Sequence, residues 1–199
     1  MDDAWQLTQG VDQTKFAVRV AVSSRDKTVR QKDISLSIQS AAEGQIPVPL
    51  DINGQMLNVS HDEVLRHENP PIIANQPKGT LSLTLAYWMP IPEELTFRYS
   101  RLGDGVAEAN KAITNANKII KADYAGELSP FTRKVQGMNF WFPISSTGKA
   151  KIKIESAAGR KEYTADTHGN VRLILETALL VENPEVIMSE KPTMILPIF

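Results

Sequence analysis

Apolar and polar positions alternate along several stretches of the chain. Phe16, Val18, Val20 and Val22 alternate with Ala17, Arg19 and Ala21. Ile34, Leu36 and Ile38 alternate with Ser35, Ser37 and Gln39, and Leu81, Leu83 and Leu85 with Ser82, Thr84 and Ala86. Later, Ile152 and Ile154 alternate with Lys151, Lys153 and Glu155. A period of two with one apolar face predicts half-buried antiparallel strands. Residues 104–122 follow another rule: Val106, Ala109, Ile113, Ala116 and Ile120 recur at helical spacing. Asp104 is an available N-cap, and Lys118 and Lys121 complement the dipole at the far end. The spacing predicts one amphipathic helix over about 104–122.

The pattern repeats. Ile38-Gln39-Ser40-Ala41-Ala42 recurs as Ile154-Glu155-Ser156-Ala157-Ala158, and Asp51-Ile52-Asn53-Gly54 as Asp166-Thr167-His168-Gly169. Val64 to Pro70 recurs as Ala178 to Pro184, and Gln76-Pro77 as Lys191-Pro192. The offsets are 116, 115, 114 and 115. Four islands in one order at nearly one offset predict duplication of one module. Asn53-Gly54 has strong hairpin-turn chemistry, because both residues tolerate positive φ, and His168-Gly169 occupies the matching place. Ser60-His61-Asp62-Glu63 fits a capping box that opens a short helical turn. Pro70 and Pro184 end that turn in each copy, since a residue before proline avoids the helical region. The expected fold is mainly β: two tandem antiparallel β-sandwich-like repeats of immunoglobulin-like kind, 1–92 and 93–199. The second repeat carries the helix, and Pro90-Ile91-Pro92 marks the boundary.

Composition narrows the function classes. The chain has 199 residues, net charge −1 and no cysteine. That arithmetic excludes a disulfide scaffold and a cysteine zinc site. The balanced charge argues against a nucleic-acid partner. No apolar run approaches the ~18 residues of a membrane span. The average hides one asymmetry, a charge of +6 over residues 133–161. Lys149, Lys151 and Lys153 alternate there, so a strand through them presents one basic face. Such a face suits an anionic polymer or an acidic envelope protein, or serves as an edge guard. Phe140-Trp141-Phe142 sets Trp141 opposite the two phenylalanines, where it is either covered by the helix or exposed. Trp88 poses the same question. An exposed Trp on a sheet can stack a sugar ring.

Catalytic patterns are thin. Ser24-Arg25-Asp26-Lys27 and Ser146-Thr147-Gly148-Lys149 have Ser-x-x-Lys spacing, but both fall between strands and lack the companion motifs of acyl-transfer enzymes. His61 and His67 do not share a helical face, and His-Glu-x-x-His is absent. Asp51 and Asp166 each open a turn, where Asp bonds nearby backbone N–H groups. The reading is a non-enzyme with no cofactor and no metal.

The second half carries Phe97-Arg98-Tyr99-Ser100-Arg101-Leu102, then the helix, Gly137-Met138-Asn139-Phe140-Trp141-Phe142, Ile154-Glu155-Ser156-Ala157 and Val181-Glu182-Asn183-Pro184-Glu185-Val186. This order resembles an uncharacterised bacterial family of small exported proteins, domain of unknown function 2987, over about residues 96–199. The resemblance implies a gammaproteobacterial envelope protein and assigns no functional residue. Met1-Asp2-Asp3-Ala4-Trp5 is not a signal peptide. The expected address is periplasmic, as a mature exported domain, with a cytoplasmic protein as the alternative. The expected function is non-catalytic binding or structure in the envelope through the basic strand face. A carbohydrate-binding module using Trp141 or Trp88 is the alternative, and a Ser-x-x-Lys acyl-transfer enzyme the third reading.

Overall fold

The computed structural model describes residues 8–51, 54–56, 63–68, 70–123 and 131–199. The protein is mainly β, with antiparallel sheets and one long helix. Contacts group the chain into two compact units. The first holds residues 8–9 and Val18–Ala86; the second holds Gly10–Ala17 and Tyr87–Phe199.

In the first unit, the three alternating stretches become β1 (Ala17–Ser24), β2 (Leu36–Ser40) and β5 (Leu81–Trp88), of which Ala17, Tyr87 and Trp88 group with the second unit, and β3 (Gly44–Val48) and β4 (Ile72–Ala74) are added to them. The short helix α1 (Glu63–Glu68) stops before Pro70, as the proline rule requires. The strands form a β3-β2-β4 sheet and a β1-β5 pair. Val22 from one sheet and Ile34, Leu36, Ile38 and Val48 from the other side bury together with Met56 and Leu65. Two sheets closing on one apolar layer make a sandwich-like build, each large side chain contributing roughly 1.5–3 kcal/mol. The capping-box residues Ser60 to Asp62, and Asn53, lie outside the described residues.

The second unit is built from β6 (Thr96–Arg98), α2 (Ser100–Asp123), β7 (Gly137–Trp141), β8 (Lys151–Ser156), β9 (Gly159–Thr164), β10 (Asn170–Ile174), α3 (Thr177–Glu182), β11 (Glu185–Met188) and β12 (Met194–Ile198). One sheet has the order β6-β11-β8-β9, the other β10-β7-β12. Phe97 of the first stacks on Phe140 of the second, centroids 6.4 Å apart.

The helix starts at Ser100, four residues before the position expected from Asp104. Its first amide is capped from far away: Ser100 N–H donates to Asn183 Oδ1 at 2.8 Å. Asn183 sits at φ 52°, closing α3 in the left-handed region with its own N–H on the Leu179 carbonyl (2.8 Å). Asp104 instead pairs with Lys15 at 3.2 Å. The helix-weakening asparagines also have partners. Asn110 accepts from Val135 N–H (2.9 Å) and donates to its carbonyl (3.1 Å). Asn117 does the same for Phe131 (2.7 and 3.0 Å). Both side chains hold the 131–135 segment that returns along the helix.

The two units share a set of bonds at corresponding positions. Gly54 N–H donates to Asp51 O and Gly169 N–H to Asp166 O, both at 3.0 Å. Gln55 N–H and Asn170 N–H reach Asp51 Oδ1 and Asp166 Oδ1, both at 2.8 Å. Val22 N–H donates to Gly54 O (2.9 Å) and Phe142 N–H to Gly169 O (2.8 Å). Those close approaches need glycine. Both sit near φ +78°, at 77° and 79°, and a Cβ would lie 2.2 Å from Val22 O in one and 2.6 Å from Phe142 O in the other. In the β2-β3 turn Ala41 N–H bonds the Glu68 carboxylate, and in the turn at 157–158 Ala157 N–H bonds the Glu182 carboxylate. The offset drops from 116 to 115 within the hairpin because Ser40 faces Gly44 while Ser156 faces Gly159, one turn residue fewer.

Candidate binding site

The outward face of the β10-β7-β12 sheet carries Trp141. Phe140 pairs with Val171 and Ile195, all fully buried, so the odd-numbered residues of β7 point away from the core. The helix packs on the buried side, since a Cβ on Gly105 would lie 3.2 Å from Met138 Cε. Trp141 is therefore left 37 % exposed rather than covered by α2. Register places Asn170 on one side of it and Met194 on the other, and one step along the strands Asn139 stands between Arg172 and Leu196. Thr193 N–H and hydroxyl both donate to the Trp141 carbonyl (2.7 and 3.0 Å), fixing its backbone.

The Asn139 amide can be placed with its oxygen and nitrogen either way round, and its partners decide between the two. In one, Nδ2 donates to Asn170 Oδ1 at 3.3 Å. In the other, Oδ1 accepts from Trp141 Nε1 at 2.8 Å and Nδ2 donates to the Val171 carbonyl at 3.3 Å. The second satisfies the indole N–H and ties the ring to a neighbour two residues back. Beside it lies a groove of about 410 Å³ lined by Asn139, Asp166, Asn170, Arg172, Pro197, Ile198 and Phe199. Asp166 is held below the usual carboxylate range by the Asn170 and His168 N–H groups, which bond its charged form. The face thus combines an aromatic plate, two amides, a guanidinium and a carboxylate.

The basic strand is different from its sequence portrait. Only Lys151 and Lys153 stand on β8. Lys149 lies in the preceding turn, exposed, its N–H on Ser146 O (2.9 Å), because Thr147 and Gly148 bend the chain before the strand starts. Glu162 on β9, one residue beyond the +6 stretch, faces Lys153 in the register. Its carboxylate meets Lys151 Nζ at 2.5 Å, Arg160 Nη2 at 3.6 Å and Lys153 Nζ at 3.9 Å. The Lys151 contact, aided by the other two charges, holds Glu162 below the usual carboxylate range. Lys161 is paired with Glu176 at 2.5 Å. Trp88, at the end of β5, is half-buried and has interactions of its own.

The remaining candidates resolve into local structure. Ser24 Oγ accepts Asp26 N–H at 3.0 Å, a turn bond. Ser146 is buried and its hydroxyl donates to Glu190 Oε2 at 2.8 Å, not to Lys149. His67 is exposed on α1, and His168 lies in its turn with Nδ1 3.3 Å from Thr167 Oγ1. His61 lies outside the described residues. Among the described residues no cluster of metal-ligating side chains occurs, and no helix is long and apolar enough to cross a membrane. Asn139, Asn170 and Arg172 were not marked by the sequence. Their alternation with Met138, Val171 and Leu173 was the available signal. Comparison with protein-family models, curated proteins and solved structures finds no match to the chain.

Proposed function

We propose that the protein is a non-catalytic binding protein of the bacterial envelope, formed from two copies of one module, which engages saccharide through the Trp141 face of its second unit. The observation that carries this is the exposed indole with its N–H bonded to Asn139, beside a groove bearing Asn139, Asn170 and Arg172. A flat ring presents apolar C–H faces and a rim of hydroxyls. An indole plate takes the first, and planar amides and a guanidinium take the second. The turn bonds shared at an offset of 115, from Gly54 to Gly169 and from Gln55 to Asn170, support the duplication, and the resemblance to the exported family supports the address. The test is tryptophan fluorescence across a panel of neutral and acidic envelope saccharides. The expected result is a change that Trp141→Phe removes and Trp88→Phe retains. A response lost only with Trp88→Phe moves the site, and none with any saccharide overturns it.

The second reading, docking of an anionic polymer on Lys149, Lys151 and Lys153, rests on exposed Lys149 and on a pair of strand lysines that share one carboxylate. It predicts that Glu162→Gln strengthens polyanion binding severalfold in a salt-sensitive way, by releasing both lysines. Polyanion binding that survives replacement of the three lysines by Glu removes this reading.

A further inference from the structure

Antiparallel edges expose unpaired N–H and C=O groups that attract another strand unless something guards them. The protein handles corresponding edges differently. In the second unit, β11 is paired on both sides, with β8 and with β6. Toward β6, Tyr99 N–H bonds Pro184 O (2.9 Å) and Met188 N–H bonds Leu95 O (2.8 Å), with Phe97 facing Val186 between them. Val186 is fully buried as a result. In the first unit, β4 pairs with β2 through the same kind of register, Ile72 facing Ile38 as Val186 faces Ile154. Its bonds to β2 flank Ile73, at Gln39 N–H to Pro71 O (3.0 Å) and Asn75 N–H to Ser35 O (3.1 Å). Alternation then turns the N–H and C=O of Ile72 and Ala74 to the other side. Among the described residues no strand lies there. Ile72, the counterpart of buried Val186, is 41 % exposed, and Ile73 is 45 % exposed.

The edge is guarded only by the shortness of β4 and by Pro71 just before it, with no charge or proline inside the strand. The outer strand β9 carries Arg160, Lys161 and Glu162 in succession, and β3 carries Pro47. Ile72-Ile73-Ala74 holds neither charge nor proline. We infer that the free edge of β4 accepts an extended strand of a partner protein, added antiparallel as β6 is added to β11. The β6 template sets its chemistry. Two apolar residues lie two positions apart, Leu95 facing the Met188 end and Phe97 facing Val186, with polar Thr96 and Arg98 between and after. A partner strand of this pattern places an aromatic or large aliphatic residue opposite Ile72 and a second apolar residue opposite Ala74. Main-chain bonds supply affinity, and the apolar pair supplies register.

The probe is a synthetic peptide of this chain's own β6 segment, Glu94-Leu95-Thr96-Phe97-Arg98-Tyr99, added to the full-length protein. Amide hydrogen exchange is followed by NMR. The expected result is at least about a tenfold slowing at Ile72 and Ala74, equivalent to one hydrogen-bond-sized gain. A peptide with Phe97 replaced by Ser should give little slowing, and Ile72→Lys or, on the opposite face, Ile73→Lys should weaken binding while exchange at Val186 stays unchanged. No slowing at Ile72 and Ala74 at millimolar peptide overturns the inference. Slowing that rises with protein concentration in the absence of peptide also overturns it, and assigns the edge to a second copy of the chain.

Discussion

Set side by side, the two units show which positions a β module needs and which it is free to change. Bonds that close the turns are kept. The Gly54 and Gly169 carbonyls each take an N–H from the neighbouring strand, and Asp51 and Asp166 each order the turn that leads there. What stands on the exposed faces is not kept. Where the second unit presents Trp141 beside Asn170, the first has Ala21 facing Gln55 at the corresponding bridge. Where the second unit closes its β11 edge with β6, no strand among the described residues covers β4 in the first. Backbone hydrogen bonds therefore mark the common frame, and side chains on the solvent face mark the difference.

The comparison breaks most visibly at the edge strands. Val186→Lys should put an unpaired charge into a fully buried site and cost more than about 3 kcal/mol. Ile72→Lys, at the corresponding but exposed position, should stay within about 1 kcal/mol. Denaturant unfolding of both variants checks this, and equal losses would mean that the β4 edge is covered after all. Next in size are the glycines. Gly54→Ala and Gly169→Ala should each destabilise by about 2–3 kcal/mol, since both force a Cβ against a carbonyl at positive φ. Gly44→Ala, with positive φ but open space, should cost only about 1 kcal/mol. A large loss at only one of the pair would separate the two frames.

The smallest effect is a pH dependence. Glu68 is held below the usual carboxylate range by the Ala41 N–H and the Ser40 hydroxyl, and Asp166 by the Asn170 and His168 N–H groups. A folded-state pKa lowered this way contributes stability that is present above the unfolded value and lost as pH falls through the folded one. Both units should therefore weaken below about pH 4. Glu68→Gln should flatten that dependence at Ala41 and leave the Asp166 turn titrating, as read from NMR shifts of the two sites. Loss of titration at both would show that they act as one.

Much of this frame was legible in the residues. Alternation at Leu36 and Ile38 and at Ile152 and Ile154 located the central strands, and the Asp-x-x-Gly islands located the turns. The helix was legible from its apolar spacing but not its start, because the group that caps Ser100 is Asn183, distant in sequence and placed by α3. The balance of the basic strand was hidden for a similar reason. Glu162 meets Lys151 and Lys153 only once the β8-β9 register is set. Strand β6 has three residues, too few for a period to show, so the filled and open edges could not be told apart. Two companions of Trp141, Asn170 and Arg172, come from β10, and only sheet pairing brings Asn170 alongside.

Native-state hydrogen exchange on the full-length chain tests the shared frame and the β4 edge together. Exchange should be slow at Val22 and Phe142, at Gln55 and Asn170 and at Val186 and Met188, and fast at Ile72 and Ala74. Fast exchange at only one member of the Val22 and Phe142 pair, or protection at Ile72 and Ala74 equal to that at Val186 and Met188, would contradict this expectation.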